Sequence, residues 1–359
     1  MTIERKVGMG IAGQPTGPAA DVAEVFSTFL YTAGSAERKV NGIDLAGEGG
    51  MVWTKSRTSS ANNRIQDTVR GTGASGHYKN LQTNLSDAEG TQGGITTFHS
   101  DGYSIDNSSS VTDWNTGSNN YVSWTFRKKE KFFDVVTWSG NSTARTISHN
   151  LGSAPAFMLI KRVSHAAGWA IYHKDNGTSK YMLNDTGVSL TETTDYTAAG
   201  DHWNGTTPTD TNFSLGGHYE VNYTGSTYVA YLFADNSADD QIIKCGSYTG
   251  NSSTLQDINL GWEPQFLILK DTSATGGWYM WDKMRGWFGG ANNGDGHPLY
   301  LNTASAEFNN DDVGLLSNGF QVADVLNTNT NSYIYMAIRA PMMKEPEAAT
   351  DVFAIDTRN

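Results

Sequence analysis

Apolar and polar residues alternate along the segment YVSWTFR, Tyr121 to Arg127. Val122, Trp124 and Phe126 fall on one face, and Tyr121, Ser123, Thr125 and Arg127 on the other. A period of two predicts a β-strand with its uniformly apolar side facing a core. The pattern returns as YVAYLFA from Tyr228, with Val229, Tyr231 and Phe233 inward. It returns again as YIYMAIR from Tyr333, with Ile334, Met336 and Ile338 inward. A second kind of run, MVWTK, FMLIK and FLILK, ends at Lys55, Lys161 and Lys270. The latter two are apolar throughout before the lysine, which predicts strands covered on both faces or ending at a sheet boundary.

These runs share one period. The three lysines lie 106 and 109 residues apart, and the tyrosines Tyr121, Tyr228 and Tyr333 lie 107 and 105 apart. FLYTAG, VVTWSGN and KCGSYTGN place Tyr31, Trp138 and Tyr248 in register, and Leu45, Leu151 and Leu260 each precede a lysine by ten residues. RIQDTVRG and YMWDKMRG correspond, with AIYHKDNG in the middle copy. A glycine-aromatic step puts Tyr103, Tyr219 and Phe320 in line. A period this long is a whole small domain, not a solenoid repeat of roughly 20–50 residues.

The expected fold is therefore all-β, with three tandem antiparallel β-sandwich repeats of jelly-roll or lectin-like type, each with its own core, like beads on a string. The boundaries are an extended N-terminal arm over 1–24, repeats over 25–131, 132–240 and 241–343, and a tail over 344–359. Short junctions imply that the beads touch. Helix is admissible only at DVAEVFSTFL and DKMRGWF, and strand is preferred for most of both. Glycines and prolines in the arm exclude a helix there.

Composition narrows the class. The chain has 359 residues, 39 of them Gly, with 10 Trp, 16 Tyr and 14 Phe, and 17% are charged. That suits many short strands between polar turns and supplies ample core material. The net charge of -12 argues against sequence-independent nucleic-acid binding. No apolar run is long enough to span a membrane, and no secretory h-region follows the first charges. The single cysteine, Cys245, excludes an internal disulfide and reads as a half-buried strand residue.

Candidate chemistry is sparse. Eight histidines are scattered without HExxH or a comparable ligand spacing, so no metal site is expected. Calcium is a minor alternative, at GANNGDGH and NNDD, where the closing Glu of a calcium loop is missing. Asp67 with Arg70 and Asp282 with Arg285 read as salt bridges that fix a turn. Their loss in the middle copy points to a dispensable, structural role. No nucleophile elbow, Walker motif or paired carboxylates appear, so enzymatic activity and a cofactor are not expected. The aromatic surplus suggests contacts instead. Trp278, Trp281, Arg285 and Trp287 form the best candidate ligand or partner patch. Arg127 and Arg339, at strand ends where the middle copy has Ala234, are further partner candidates.

The stretches NGIDLAGEGGMVWTKSR, YVSWTFRKKEKFFDVVTWSGN, DQIIKCGSYTGN, EPQFLILK and YIYMAIRAPMMKEPE resemble virion proteins of marine and aquatic tailed phages, over nearly all of the chain after Val25. The resemblance implies a structural place on the particle surface, as a tail fibre or appendage or as a capsid decoration. It implies no catalytic residues. The expectation is a virion protein that docks on other virion proteins through its N-terminal arm. Its repeats serve as spacers or bind host-surface glycan, and the capsid decoration or cement role is the alternative. A glycan depolymerase has no support in the residues. Sparse charge on strand edges further implies a homo-oligomer.

Overall fold

A computed structural model describes residues 21–34, 36–106, 113–178, 182–183, 202–235, 241–292 and 296–341. The expected N-terminal arm, up to residue 20, and the C-terminal tail lie outside these residues. The architecture is all-β and antiparallel, with a large and a small sheet in each repeat.

The last residues of the expected extended arm, 21–24, are not extended: they form most of one helical turn, α1 (Val22–Val25), capped by the Asp21 carboxylate, which accepts from the Ala23 amide at 3.0 Å. The aromatic and β-branched residues that follow prefer strand. The strands of repeat one are β1 (Phe26–Thr32), β2 (Glu37–Val40), β3 (Gly50–Ser56), β4 (Arg64–Asp67), β5 (Asn80–Gln82), β6 (Ile95–His99), β7 (Gly102–Ile105) and β8 (Asn120–Arg127). Repeat two has β9 (Phe133–Ser139), β10 (Arg145–Ser148), β11 (Phe157–Arg162), β12 (Trp169–His173), β13 (Met182–Leu183), β14 (Asn212–Leu215) and β15 (Thr227–Phe233). Repeat three has β16 (Ile243–Thr249), β17 (Gln256–Asn259), β18 (Pro264–Asp271), β19 (Tyr279–Asp282), β20 (Leu299–Tyr300), β21 (Val313–Leu316), β22 (Gly319–Val322) and β23 (Ser332–Arg339).

The large sheets run β1-β8-β3-β4-β5, β9-β15-β11-β12-β13 and β16-β23-β18-β19-β20. The small sheets run β2-β7-β6, β10-β14 and β17-β22-β21. In every repeat the last strand inserts between the first and the lysine-ending strand, so the sequence period is a topological period. Strand register corrects one alignment. Ile147 faces Phe213 as Ile258 faces Phe320 and Lys39 faces Tyr103, so Phe213 and not Tyr219 is the middle copy of that aromatic.

The same register explains why the aromatic markers recur. Tyr31 stacks on Tyr121 at 5.2 Å, Trp138 on Tyr228 at 5.5 Å, and Tyr248 on Tyr333 at 4.7 Å. The first ring of each pair donates to a loop carbonyl, at Trp114, Val221 and Leu326 respectively. The next residue in each loop is an asparagine, Asn115, Asn222 or Asn327. Its side-chain oxygen accepts from the amide of Gly34, Asn141 or Asn251. At Gly140 and Gly250 a Cβ would meet the carbonyl of Tyr223 or Thr328 at 2.2 and 2.1 Å, which accounts for the glycine in SGN and TGN.

The beads do not have fully separate cores. Both faces of the closing strands are buried. Val122, Trp124 and Phe126 join a central cluster with Val229, Tyr231 and Phe233 and with Ile334, Met336 and Ile338. That cluster contains residues of all three repeats. The opposite faces meet each repeat's own small sheet: Tyr121 packs with Tyr103 and Ile95 in repeat one, and Tyr333 and Tyr335 pack with Phe320 and Val322 in repeat three. Phe126 is the hinge of the centre, with ring centroids 5.5 Å from Phe233 and 6.0 Å from Phe266. The apolar face that the sequence assigns to a repeat's own core thus faces the other repeats. The physical reason is that the small sheet already covers the other side.

Candidate functional site

The seams between repeats hold most of the distinctive chemistry. Each lysine that ends an apolar strand is at most 1% exposed. Lys55 Nζ donates to the carbonyls of Ala61 (2.5 Å) in its own repeat and Ala304 (2.8 Å) in repeat three. Lys161 Nζ donates likewise to Ala167 (2.5 Å) and, in repeat one, Ser86 (2.9 Å). Lys270 Nζ donates to Gly276 at 2.9 Å. The matching loop of repeat two lies outside the described residues. Burial pushes all three lysines down to about 8.

The Asp-Arg pairs form as the sequence predicts, with Arg70 Nε and Arg285 Nε each 2.6 Å from Oδ2 of Asp67 and Asp282. They do more than fix a turn. Asp67 Oδ2 also accepts from the hydroxyl of Tyr231 at 2.7 Å, and Asp282 Oδ2 from Trp124 Nε1 at 2.9 Å. Repeat two thus grips repeat one, and repeat one grips repeat three. The third seam has Met336 at the position of Trp124 and Tyr231, and Met336 has no donor. An Asp opposite it would be a buried charge short of a partner. His173 stands there instead, and its Nε2 meets the Tyr335 carbonyl at 3.2 Å. Burial lowers its pKa to about 4, which keeps the ring neutral. The copy without an Asp-Arg pair is thus the one whose neighbour presents no donor at this position. The three repeats close into a ring.

The aromatic patch is corrected. Trp278, Trp281 and Trp287 are at most 1% exposed and Arg285 is 3% exposed, so none of them faces a ligand or partner. Trp278 packs on Phe157 of repeat two at 6.0 Å, and Trp287 Nε1 donates to the Val313 carbonyl at 3.1 Å. Trp281 stacks on Tyr279. Arg127 is half-buried, with Nη1 3.4 Å from the Glu24 carbonyl, and Arg339 is buried. The position of Cys245 is as expected, though more buried, and burial pushes its thiol well up, away from nucleophilic use. Of the two calcium candidates, part of GANNGDGH lies outside the described residues. In NNDD, Asp312 is tied to the Asn310 side chain at 2.7 Å.

Two features escape the sequence. A groove of about 640 Å³ runs along the seam of repeats two and three. Asp175 and Asn176 line one side, and Ser247, Thr249, Ser273 and Ser332 the other. It offers a carboxylate, an amide and hydroxyls to a hydrogen-bonding ligand. Its rings, Tyr248 and Tyr333, stack on each other and show almost no face. Second, His202, His218 and Glu220 gather in repeat two, with potential ligand atoms within 4.8 Å of one another. The one local signal is the His-x-Glu step at His218, because His202 arrives from another part of the fold.

Comparison with curated proteins finds no match. A family model described as "Domain of unknown function (DUF7483)" matches residues 21–341, a span covering all three repeats, and the chain belongs to that family.

Proposed function

We propose that the chain is a structural protein of a tailed-phage particle, exposed on its surface as part of a tail fibre or related appendage. The observation that carries this reading is the closed ring. A chain that spends its buried lysines, Asp-Arg pairs and tryptophans on stitching three sandwiches together builds a rigid block. Rigidity suits a spacer or a platform that must keep its shape under load. The sequence resemblance to virion proteins, which spans the same repeats, gives the setting. Docking through the N-terminal arm and self-association belong to the same proposal.

The seam groove is the surface we assign to host-glycan contact. Its volume lies in the range of small-ligand sites. Recognition there is polar, through Asp175 and Asn176, since the groove presents no open aromatic face. A glycan array with the intact chain and with Asp175→Ala tests the assignment. Binding lost in the variant supports it, and unchanged binding moves the contact elsewhere.

The pseudo-threefold order of repeats favours a second reading, capsid decoration. A chain with three equivalent faces can sit on a threefold position of a head lattice, each repeat meeting one capsid subunit. Gold-labelled antibody on intact particles separates the two. Label on the tail supports the appendage, label over the head supports decoration, and absence from purified particles counts against both.

A further inference from the structure

The loop residue just before Trp114 in repeat one and just before Val221 in repeat two is acidic: Asp113 and Glu220. Both are buried, at 6% and 3% exposure. An isolated buried carboxylate is costly, so each needs a counter-charge. In repeat one, Arg64 supplies it, with Nη2 2.5 Å from Asp113. Repeat two has no arginine at that position. Thr54 pairs with Arg64 and Ile160 with Ala170, each one residue before the strand-ending lysine, so Ala170 replaces Arg64.

Among the described residues, the groups within ion-pair distance of Glu220 are imidazoles, while the Lys161 ammonium acts on it from further away. Oε2 lies 2.9 Å from His202 Nε2 and 3.7 Å from His218 Nδ1. The two rings lie 4.1 Å apart. The three side chains converge so that their potential ligand atoms lie within 4.8 Å of one another, and a dication among them would be held by all three. We propose that His202, His218 and Glu220 ligate a divalent transition-metal ion of the zinc class, a site specific to repeat two.

The donor set fits. Two imidazoles and one carboxylate are nitrogen and oxygen ligands that zinc accepts, leaving a fourth position for water or a substrate group. Tetrahedral bonds of about 2.0–2.1 Å separate ligand atoms by about 3.3 Å, between the two distances observed here. Calcium, which takes six to eight oxygens, does not fit this set. Tyr219 adds support from outside. Its hydroxyl is 3.4 Å from Glu220 Oε1 and its ring packs 4.5 Å from His218, which orients both ligands. His218 Nδ1 also accepts from the Glu220 amide at 3.3 Å, and a bound ion takes the place of that contact.

The test uses the full chain, stripped with chelator and titrated with cobalt(II) and then zinc(II). The expected result is one saturable equivalent, the visible absorption of tetrahedral cobalt, its loss on adding zinc, and a raised melting temperature. Glu220→Gln and His202→Gln remove the cobalt absorption, while Glu263→Gln, on an exposed ion pair of repeat three, retains it. If a variant fails to fold, the wild-type titration still decides. Folded wild-type protein that gives no tetrahedral cobalt spectrum and no thermal shift overturns the proposal. So does binding of several weak equivalents.

Discussion

At the scale of single residues, the seams make sharp demands. His173 is neutral, buried and matched to Met336, which cannot donate. His173→Asp is expected to cost about 3–5 kcal/mol, the usual penalty of an uncompensated buried charge. Adding Asn176→Arg and Met336→Tyr recreates the Asp67, Arg70 and Tyr231 arrangement and should recover much of that loss. Urea unfolding measures both, and a harmless single substitution would sink the account of this seam. The lysines set a pH dependence. Their folded pKa of about 8 lies below the unfolded 10.5. From about pH 8 upward the unfolded chain therefore binds more protons, and stability rises with pH. Above about pH 10 the sign reverses. Burial pushes Tyr31, Tyr103, Tyr231 and Tyr248 up, so unfolded tyrosines ionise first and drain the folded state. Thermal melts across pH 7–11 should show stability rising from about pH 8 to a maximum near pH 10. A Lys55→Met, Lys161→Met, Lys270→Met protein should lack the rising limb.

At the scale of elements, the closing strands decide the architecture. A strand with one polar face can border solvent, but β8, β15 and β23 are buried on both sides. Excised repeat two, residues 132–240, would expose Val229, Tyr231 and Phe233 together with Phe157 of the adjacent β11. The excised repeat is expected to aggregate or to show poorly dispersed amide NMR signals. A sharp, monomeric spectrum would return the molecule to independent beads. Strand positions were legible because period-two alternation and turn residues act within a few positions. The true partner of Tyr103 in the middle copy was not, since Phe213 and Tyr219 are both aromatics near a glycine and only pairing register separates them. The aromatic patch misled for a similar reason: a run of tryptophans reads alike whether it meets ligand or another repeat.

For the molecule as a whole, the ring predicts a single cooperative unit. Seams that share one core couple the folding of all three repeats, so calorimetry should give one unfolding transition with equal calorimetric and van't Hoff enthalpies. Three resolved transitions, or stable proteolytic fragments of single repeats, would mean the seams are weak. The ring also bears on oligomerisation. Repeats of one chain already cover faces that separate subunits would otherwise cover, so sedimentation of the purified chain tests whether further association occurs.

Some of this was settled along the chain itself. Alternation, glycine turns and a period of 105–110 residues determine strands, all-β class and three homologous units, because these signals are local or repeat in register. The Asp-Arg pairs are three residues apart and so could be read directly. The tertiary structure alone decided which apolar face meets which layer, since both faces of a doubly buried strand look hydrophobic. It alone brought Met336 beside His173, 163 residues away along the chain. It also brought His202 to His218 and Glu220, a meeting set by loop path and invisible to spacing.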